Sequence, residues 1–145
     1  MNNLLREIEV SYKRTEIEKT KINSSLRAYE LFRSFWDATI DYKESVNVLY
    51  LNKAQNPIGI HRHSIGGLDT CIIDVREVFA IALKVKASAF IVAHNHPSGQ
   101  LIPSEADKSI TRTLKNASLI LNIDLVDHII VTSESYYSLF DNGHF

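Results

Sequence analysis

Three segments of the chain place apolar residues at the spacing of an amphipathic helix. In the first, Ser24 or Ser25 can cap the helix, and the apolar stripe consists of Ala28, Leu31, Phe32 and Phe35. The second begins at Asp74, with Glu77 three residues later in a capping-box pattern, and its stripe consists of Val75, Val78, Phe79 and Ala82. Ser104 opens the third, whose stripe consists of Ile110, Leu114, Ala117 and Leu121.

Shorter apolar segments between these helices have the composition of strands. Strands are predicted over residues 46–51, 58–63, 89–93, 125–131 and 136–140, and a short additional one over residues 8–12. A turn joins the first pair into a hairpin, and Gly66-Gly67 ends its second strand. The wholly apolar segment 89–93 suits a central strand covered on both faces. Alternating strands and helices predict an α/β fold, with a central mixed sheet flanked by helices.

The composition fits a single globular domain rather than a disordered chain. The 145 residues are 45% hydrophobic and 23% charged, which is enough to bury a core. Residues 1–23 are predicted to form an N-terminal arm and residues 24–145 the domain, with the last five residues frayed or lying across the surface. The 16 basic and 17 acidic residues leave a formal net charge of -1, so we expect nucleic acid to bind weakly or not at all.

Cys71 is the only cysteine in the chain. This excludes an internal disulfide and every zinc site built on paired cysteines, and a small buried apolar role is the simpler interpretation. No apolar run reaches membrane-spanning length, and the acidic N-terminal residues do not resemble a signal peptide. We therefore expect a cytoplasmic protein with no membrane partner.

The candidate chemistry lies between the strand 89–93 and the helix that Ser104 opens. His94 and His96 follow the strand, and residues i and i+2 of an extended chain point to the same side. Asp107 lies in the first turn of the helix, which the intervening loop can fold back over the strand end. Two imidazoles and a carboxylate with a fourth position open form the ligand set of a catalytic zinc site. The sequence therefore predicts one zinc ion per chain on His94, His96 and Asp107.

Each of these residues also has a simpler interpretation. Histidines in a loop are usually plain polar residues, and the spacing from Ser104 to Asp107 is that of a helix cap. Asp107 also favours the helix dipole without any metal. The combination of an apolar strand, His-x-His-Pro, a tight loop and Ser-x-x-Asp at a helix start favours the metal site. In that site the Ser104 hydroxyl could donate a hydrogen bond to a developing oxyanion.

The same residues resemble the signature of the RadC-like proteins, bacterial members of the JAB/MPN (JAMM metalloprotease) superfamily. The resemblance covers nearly the whole chain from about Ser25, and rests on His94 to Gly99, Pro103-Ser104, Asp107, Gly66-Gly67, the helix start at Asp74, Asp127-His128 and Tyr136 to Ser138. It implies a cytidine-deaminase-like three-layer fold, zinc on His94, His96 and Asp107, and Ser104 as the catalytic serine. In active members a metal-bound water attacks an amide or isopeptide carbonyl, so the implied substrate is an unidentified peptide or protein.

The resemblance fails at the glutamate that acts as general base in active members. The family pattern places it on the strand before the Gly-Gly turn, where this chain has His61 or Arg62. Glu44, the nearest acid upstream, lies at the start of the preceding strand and is set aside as that base. His61 or His63, which alternation places on one face of the strand, could serve as a weaker base or a fourth ligand. The simpler interpretation is that both are exposed edge-strand residues.

Two functions are compatible with these residues, and a third is less favoured. The chain is either a zinc-dependent amide hydrolase or an inactive metal-binding interaction module, and a homo-oligomer is compatible with both. The historical link of the family to DNA repair suggests nucleic-acid work, against which the net charge argues. Nucleoside deamination shares the fold class but requires paired cysteines. For Asp127-His128, a buried structural pair is preferred over a role in supporting the metal ligands.

Overall fold

The computed structural model of the chain describes residues 3–65 and 72–145. Within these residues the helices are α1 (Ser25–Phe35), α2 (Val75–Lys84) and α3 (Glu105–Leu121), with a short 3-10 helix at Ala38–Asp41. The strands are β1 (Ser45–Leu51), β2 (Pro57–Ile65), β3 (Ala89–Asn95), β4 (Asp124–Val131) and β5 (Tyr136–Ser138). Gly66-Gly67 and Cys71, to which the sequence assigns a turn and a buried position, lie outside the described residues.

The five strands form one mixed sheet in the order β2-β1-β3-β4-β5. β3 and β4 run parallel and are joined through α3, whereas the other neighbouring pairs are antiparallel. Every residue of β3 is buried, because it has a strand on each side and helices over both faces. The predictions of a hairpin and of a fully covered central strand are therefore confirmed.

The two faces of the sheet bury separate apolar clusters. α1 covers one face, where its stripe meets strand residues such as Leu49, Ile91 and Ile129. α2 and α3 cover the other face, where they meet strand residues such as Val48 and Phe90. The fold is thus an α/β arrangement of three layers, as the sequence predicts.

All three helices begin where the sequence places their caps. The side chain of Ser24 accepts a hydrogen bond from the Arg27 N–H, and Asp74 and Ser104 cap α2 and α3. The predicted inner face of α3 is confirmed at Ile110, Leu114 and Ala117, which pack in the apolar cluster under α2 and α3, and the helix also buries the polar residues Thr111 and Ser118. Leu121 is 42% exposed, since the helix ends there at the left-handed Asn122.

The N-terminal arm differs from the sequence prediction. No strand forms over residues 8–12, where Ile8 is 78% exposed and the backbone is not in a sheet ladder, which a strand requires. The arm becomes anchored further along, at Ile22, whose N–H donates to the Gln55 carbonyl oxygen. At the other end the second of the two predicted alternatives is confirmed: residues 141–145 lie across the surface, where Phe145 packs against the α2–α3 cluster. The helices of the described residues are too short or too polar to span a lipid bilayer.

Candidate metal centre

β3 and the start of α3 bring the three predicted ligands together. His94 alternates with Val92 along β3 and therefore faces the α2–α3 side of the sheet. Its Nε2 lies 3.0 Å from Nε2 of His96 and 3.3 Å from Oδ1 of Asp107. Nε2 of His96 lies 3.4 Å from Oδ2 of the same carboxylate. These side chains are 6%, 13% and 17% exposed, so they meet in a nearly closed space.

The spacing of these atoms fits a tetrahedral metal ion. Zinc binds histidine nitrogen at about 2.0–2.1 Å, which places neighbouring ligand atoms of a tetrahedron about 3.3 Å apart. The observed separations of 3.0, 3.3 and 3.4 Å match three corners of that tetrahedron. His94, His96 and Asp107 could therefore hold a divalent cation.

Asp107 is held in place by the cap of α3. The Ser104 N–H donates to Oδ2 of Asp107 at 2.9 Å, and the Ser104 hydroxyl oxygen accepts from the Asp107 N–H at 3.0 Å. Burial acts to raise the pKa of Asp107, but the polar contacts with the His94 and His96 imidazoles outweigh burial and hold the pKa far below the usual range. Asp107 is therefore an anion at neutral pH, and the capping interpretation and the metal-ligand interpretation describe the same geometry.

His96 is oriented by the loop that follows it. Its Nδ1 lies 2.8 Å from the Gln100 carbonyl oxygen, which can only accept, so Nδ1 carries a proton and Nε2 is left to face Asp107. Burial lowers the pKa of His96, but the hydrogen bonds to Asp107 and Gln100 and the charges of Asp107 and Glu44 raise it overall. The Asp107 carboxylate therefore favours a proton on His96 when no metal ion is bound.

His128 contacts the site, whereas its neighbour Asp127 does not. The rings of His128 and His94 are joined by a 2.7 Å contact between Nε2 and Nδ1. Asp127 lies on the opposite face of β4 and accepts hydrogen bonds from Ser138 and from the Phe140 N–H. Burial raises the pKa of Asp127 to about 6. Asp127 and His128, predicted to be a buried structural pair, are thus both buried but have different partners. Of the two, only His128 contacts a predicted metal ligand, His94.

Glu44, set aside on the sequence, lies beside the site. In the antiparallel register of β1 and β3, Val46 pairs with His94, and continuing that register by two residues brings Glu44 opposite His96. The charge of Glu44 contributes to the raised pKa of His96, as expected for a nearby carboxylate. The signal for this residue is its position just before a strand that pairs antiparallel with β3, which the sequence does not reveal before the pairing is known.

The side chains of the β2 residues considered in place of the missing glutamate do not reach the three ligands. Arg62 lies on the α1 side of the sheet, with its guanidinium 4.2 Å from the centre of the Phe35 ring. Among the described residues, His61 and His63 group with Glu77, separately from the three predicted ligands. His63 is 7% exposed, so its interpretation as an exposed edge residue is wrong.

His63 has a structural partner in α2. Its Nε2 accepts a hydrogen bond from the Asp74 N–H at 2.9 Å, the position that the Glu77 carboxylate would take in a capping box. Glu77 instead faces His61 at 4.0 Å. The predicted capping box of α2 therefore has a histidine from β2 in place of its glutamate.

Comparison with known proteins agrees with this geometry. The sequence profile of the RadC-like JAB domain matches residues 22–144. The chain belongs to the RadC-like JAB domain family. The resemblance drawn from the His94 to Asp107 signature is thereby confirmed, and the family match includes all three predicted metal ligands and Ser104.

Curated relatives of the family extend beyond the matched region. A UPF0758 protein of Flavobacterium johnsoniae is 46% identical over 98 residues, which cover 68% of this chain and 43% of the relative. A UPF0758 protein of Thermotoga maritima is 38% identical over 123 residues, covering 85% and 54%. The chain thus spans about half the length of these relatives.

Proposed function

We propose that this domain is a metal-dependent amide hydrolase, with a divalent ion, preferentially zinc, on His94, His96 and Asp107. The observation that carries the proposal is the triangle of two Nε2 atoms and one carboxylate, with separations of 3.0–3.4 Å. A histidine-rich set with a single carboxylate suits zinc better than magnesium or calcium, which prefer oxygen ligands. The proposed substrate is an amide or isopeptide bond of a peptide or protein.

The proposed chemistry assigns the proton to Glu44 and the oxyanion to Ser104. When bound, a divalent ion here would act as a Lewis acid that polarises a carbonyl group and lowers the pKa of water. Glu44, whose charge helps to raise the pKa of His96, would accept the proton of the attacking water and return it to the leaving amine. The Ser104 oxygen accepts from the Asp107 N–H, so its own O–H remains the donor for a developing oxyanion.

The first test is the metal content of the purified chain by elemental mass spectrometry, with His96→Ala as the comparison. We expect about one zinc per chain in the parent, in keeping with a single three-ligand site, and loss of that zinc in the variant. A parent that takes up no zinc even after incubation with the metal would contradict the proposed site. The chain would then be treated as a metal-free interaction module.

Hydrolysis is tested separately on the zinc-loaded protein. The probes are a fluorogenic peptide library and an isopeptide-linked dipeptide, with Glu44→Gln as the test variant. Glu30→Gln, in α1 on the other side of the sheet, is the matched control. We expect activity to fall about 10²–10⁴-fold in Glu44→Gln and to stay unchanged in the control. Zinc binding without hydrolysis of either probe would favour the interaction module.

A further inference from the structure

We propose that Thr111 and His128 are positioning residues that fix the proton of His94 on Nδ1 and so leave its Nε2 available to a metal ion. This inference rests on the proposed metal site. It concerns two buried residues, on α3 and β4, that the zinc ligand set itself does not include.

The direction of the first hydrogen bond is fixed by a carbonyl group. Thr111 Oγ1 lies 2.6 Å from the backbone oxygen of Asp107, and a carbonyl oxygen can only accept. The Thr111 hydroxyl therefore donates its single proton to the Asp107 carbonyl oxygen. Oγ1 also lies 2.6 Å from Nδ1 of His128. Because the threonine has no second proton, His128 must donate from Nδ1.

The position of the His128 proton in turn determines the position of the proton on His94. His128 is 0% exposed, and a ring buried among apolar strands is kept neutral by the cost of burying its charge. A neutral ring with its proton on Nδ1 has a lone pair on Nε2, which lies 2.7 Å from Nδ1 of His94. His94 must therefore donate from Nδ1. Its Nε2 then carries a lone pair directed at Asp107.

The relay thus begins at one metal ligand and ends at another. It starts at the peptide carbonyl of Asp107 and sets the ring proton of His94, so the two ligands are oriented by one line of hydrogen bonds. Metal-bound histidines usually pass their second N–H to a carboxylate, a carbonyl or water. Here the acceptor is the neutral imidazole of His128. Its Nε2 can accept from His94 only while the hydrogen bond to Thr111 keeps the ring proton of His128 on Nδ1. Without the hydroxyl, His128 is able to carry its proton on Nε2 and oppose the Nδ1–H of His94.

Zinc affinity of Thr111→Val, measured by competition with a chromogenic chelator, tests the relay in the full chain. Valine keeps the shape of threonine but lacks the hydroxyl, and we expect affinity to fall about 10–100-fold. Thr111→Ser restores the hydroxyl and should return affinity to within about threefold of the parent. The matched control is Thr113→Val, because Thr113 makes the same type of bond, to the Ser109 carbonyl, on the exposed side of α3. Parental affinity in Thr111→Val would overturn the inference.

A second measurement separates this inference from the proposed function. Long-range nitrogen–proton NMR spectra of the metal-free chain report which ring nitrogen of each histidine carries the proton. We expect His128 protonated on Nδ1 only in the parent, with Nε2 protonation appearing in Thr111→Val. A parent His128 with its proton on Nε2 overturns the relay whether or not zinc binds. If the parent chain binds no zinc at all, the proposed metal site is contradicted. The NMR spectra of the metal-free chain still show whether His128 carries its proton on Nδ1.

Discussion

Asn95 holds the backbone on both sides of Glu44. Its Nδ2 donates to the Lys43 carbonyl oxygen at 2.8 Å, and its Oδ1 accepts from the Ser45 N–H at 2.7 Å. Nδ2 also donates to the carbonyl oxygen of Ile40 at 2.7 Å. Asn95 is 0% exposed, so water cannot replace these bonds. The middle residue of the His-Asn-His segment therefore fixes the backbone on both sides of Glu44, whose charge acts on His96.

Asn95→Asp should destabilise the fold more than its small change in shape suggests. The variant turns a second acceptor oxygen towards the carbonyl groups of Ile40 and Lys43, which are left without a donor. Each buried polar group without a partner costs about 1–3 kcal/mol, and more when a charge is involved. We expect a loss of about 3 kcal/mol or more in the free energy of unfolding, measured by urea denaturation.

The control for this variant is Asn116→Asp, the same change at an exposed position of α3. Its free energy of unfolding should stay within about 0.5 kcal/mol of the parent. Equal stability of the Asn95 and Asn116 variants would show that the amide does not hold the segment before β1.

Zinc affinity should fall as the pH falls, because His96 must lose a proton to bind metal. Hydrogen bonding to Asp107 and Gln100 outweighs burial and raises the pKa of His96 above its ordinary value. Below that raised pKa, one proton competes with the metal, and affinity should drop about tenfold per pH unit. Chelator competition between about pH 5.5 and 7.5 measures the slope. An affinity independent of pH over this range would contradict the assignment of Nε2 of His96 as a ligand atom.

The stability of the metal-free chain should depend on pH in the opposite direction. Since the folded pKa of His96 is raised, its contribution is fully present below the unfolded pKa of about 6.5 and is lost as the pH rises through the folded value. Thermal unfolding in the presence of a chelator should show this loss, and His96→Ala should not. With excess zinc the trend should reverse, because metal then stabilises the deprotonated form.

His63 should make the stability of α2 sensitive to acid. Burial lowers the pKa of His63 despite the nearby charge of Glu77, and only a ring with a lone pair on Nε2 can accept from the Asp74 N–H. The stabilisation is therefore present above the unfolded pKa of about 6.5 and is lost as the pH falls through the lowered folded value.

The substitution His63→Gln tests this cap, since glutamine can accept the same bond but does not titrate. Relative to the variant, the parent should lose stability as the pH is lowered from about 7 to 5. The free energy of unfolding is measured by chemical denaturation at each pH. His61→Gln, two residues earlier on β2, leaves the bond to Asp74 in place and serves as the control. Parallel pH profiles of the parent and His63→Gln would rule out the cap as an acid-sensitive contact.

Affinity for double-stranded DNA should be weak and should disappear at moderate salt. The formal net charge is -1, and duplex binding depends on releasing counterions from many phosphates to basic side chains. Filter binding of a labelled duplex at about 50 and 200 mM salt is sufficient for this test. Retention of the duplex at the higher salt would revive the nucleic-acid function.

The sequence predicts those features that depend on local spacing. The helix caps at Ser24, Asp74 and Ser104 and the wholly apolar β3 follow from patterns a few residues long, and the structure has them. The His-x-His spacing and the first turn of α3 were sufficient to identify three side chains that meet in space. Each of these patterns specifies its own geometry without reference to distant residues.

The features that the sequence does not predict depend on which strands become neighbours. Glu44 lies beside His96 because β1 pairs antiparallel with β3, and His128 reaches His94 because β4 lies parallel on the other side. Thr111 was absent from the predicted inner face of α3 because it is polar, yet it is buried against His128. The 8–12 segment has a strand-like composition, but that composition alone does not supply a neighbouring strand.

Asp107 takes part in the cap of α3 and in the candidate metal centre with the same carboxylate, since Oδ2 accepts from the Ser104 N–H and faces His96. The ligand is consequently immobilised when the helix forms, before any ion arrives. Little conformational entropy remains to be lost when an ion is captured, which favours tight binding by a preorganised site. Capture and release of the ion should then leave the secondary structure unchanged, so that the rate of metal exchange reflects access to the site rather than refolding of the helix.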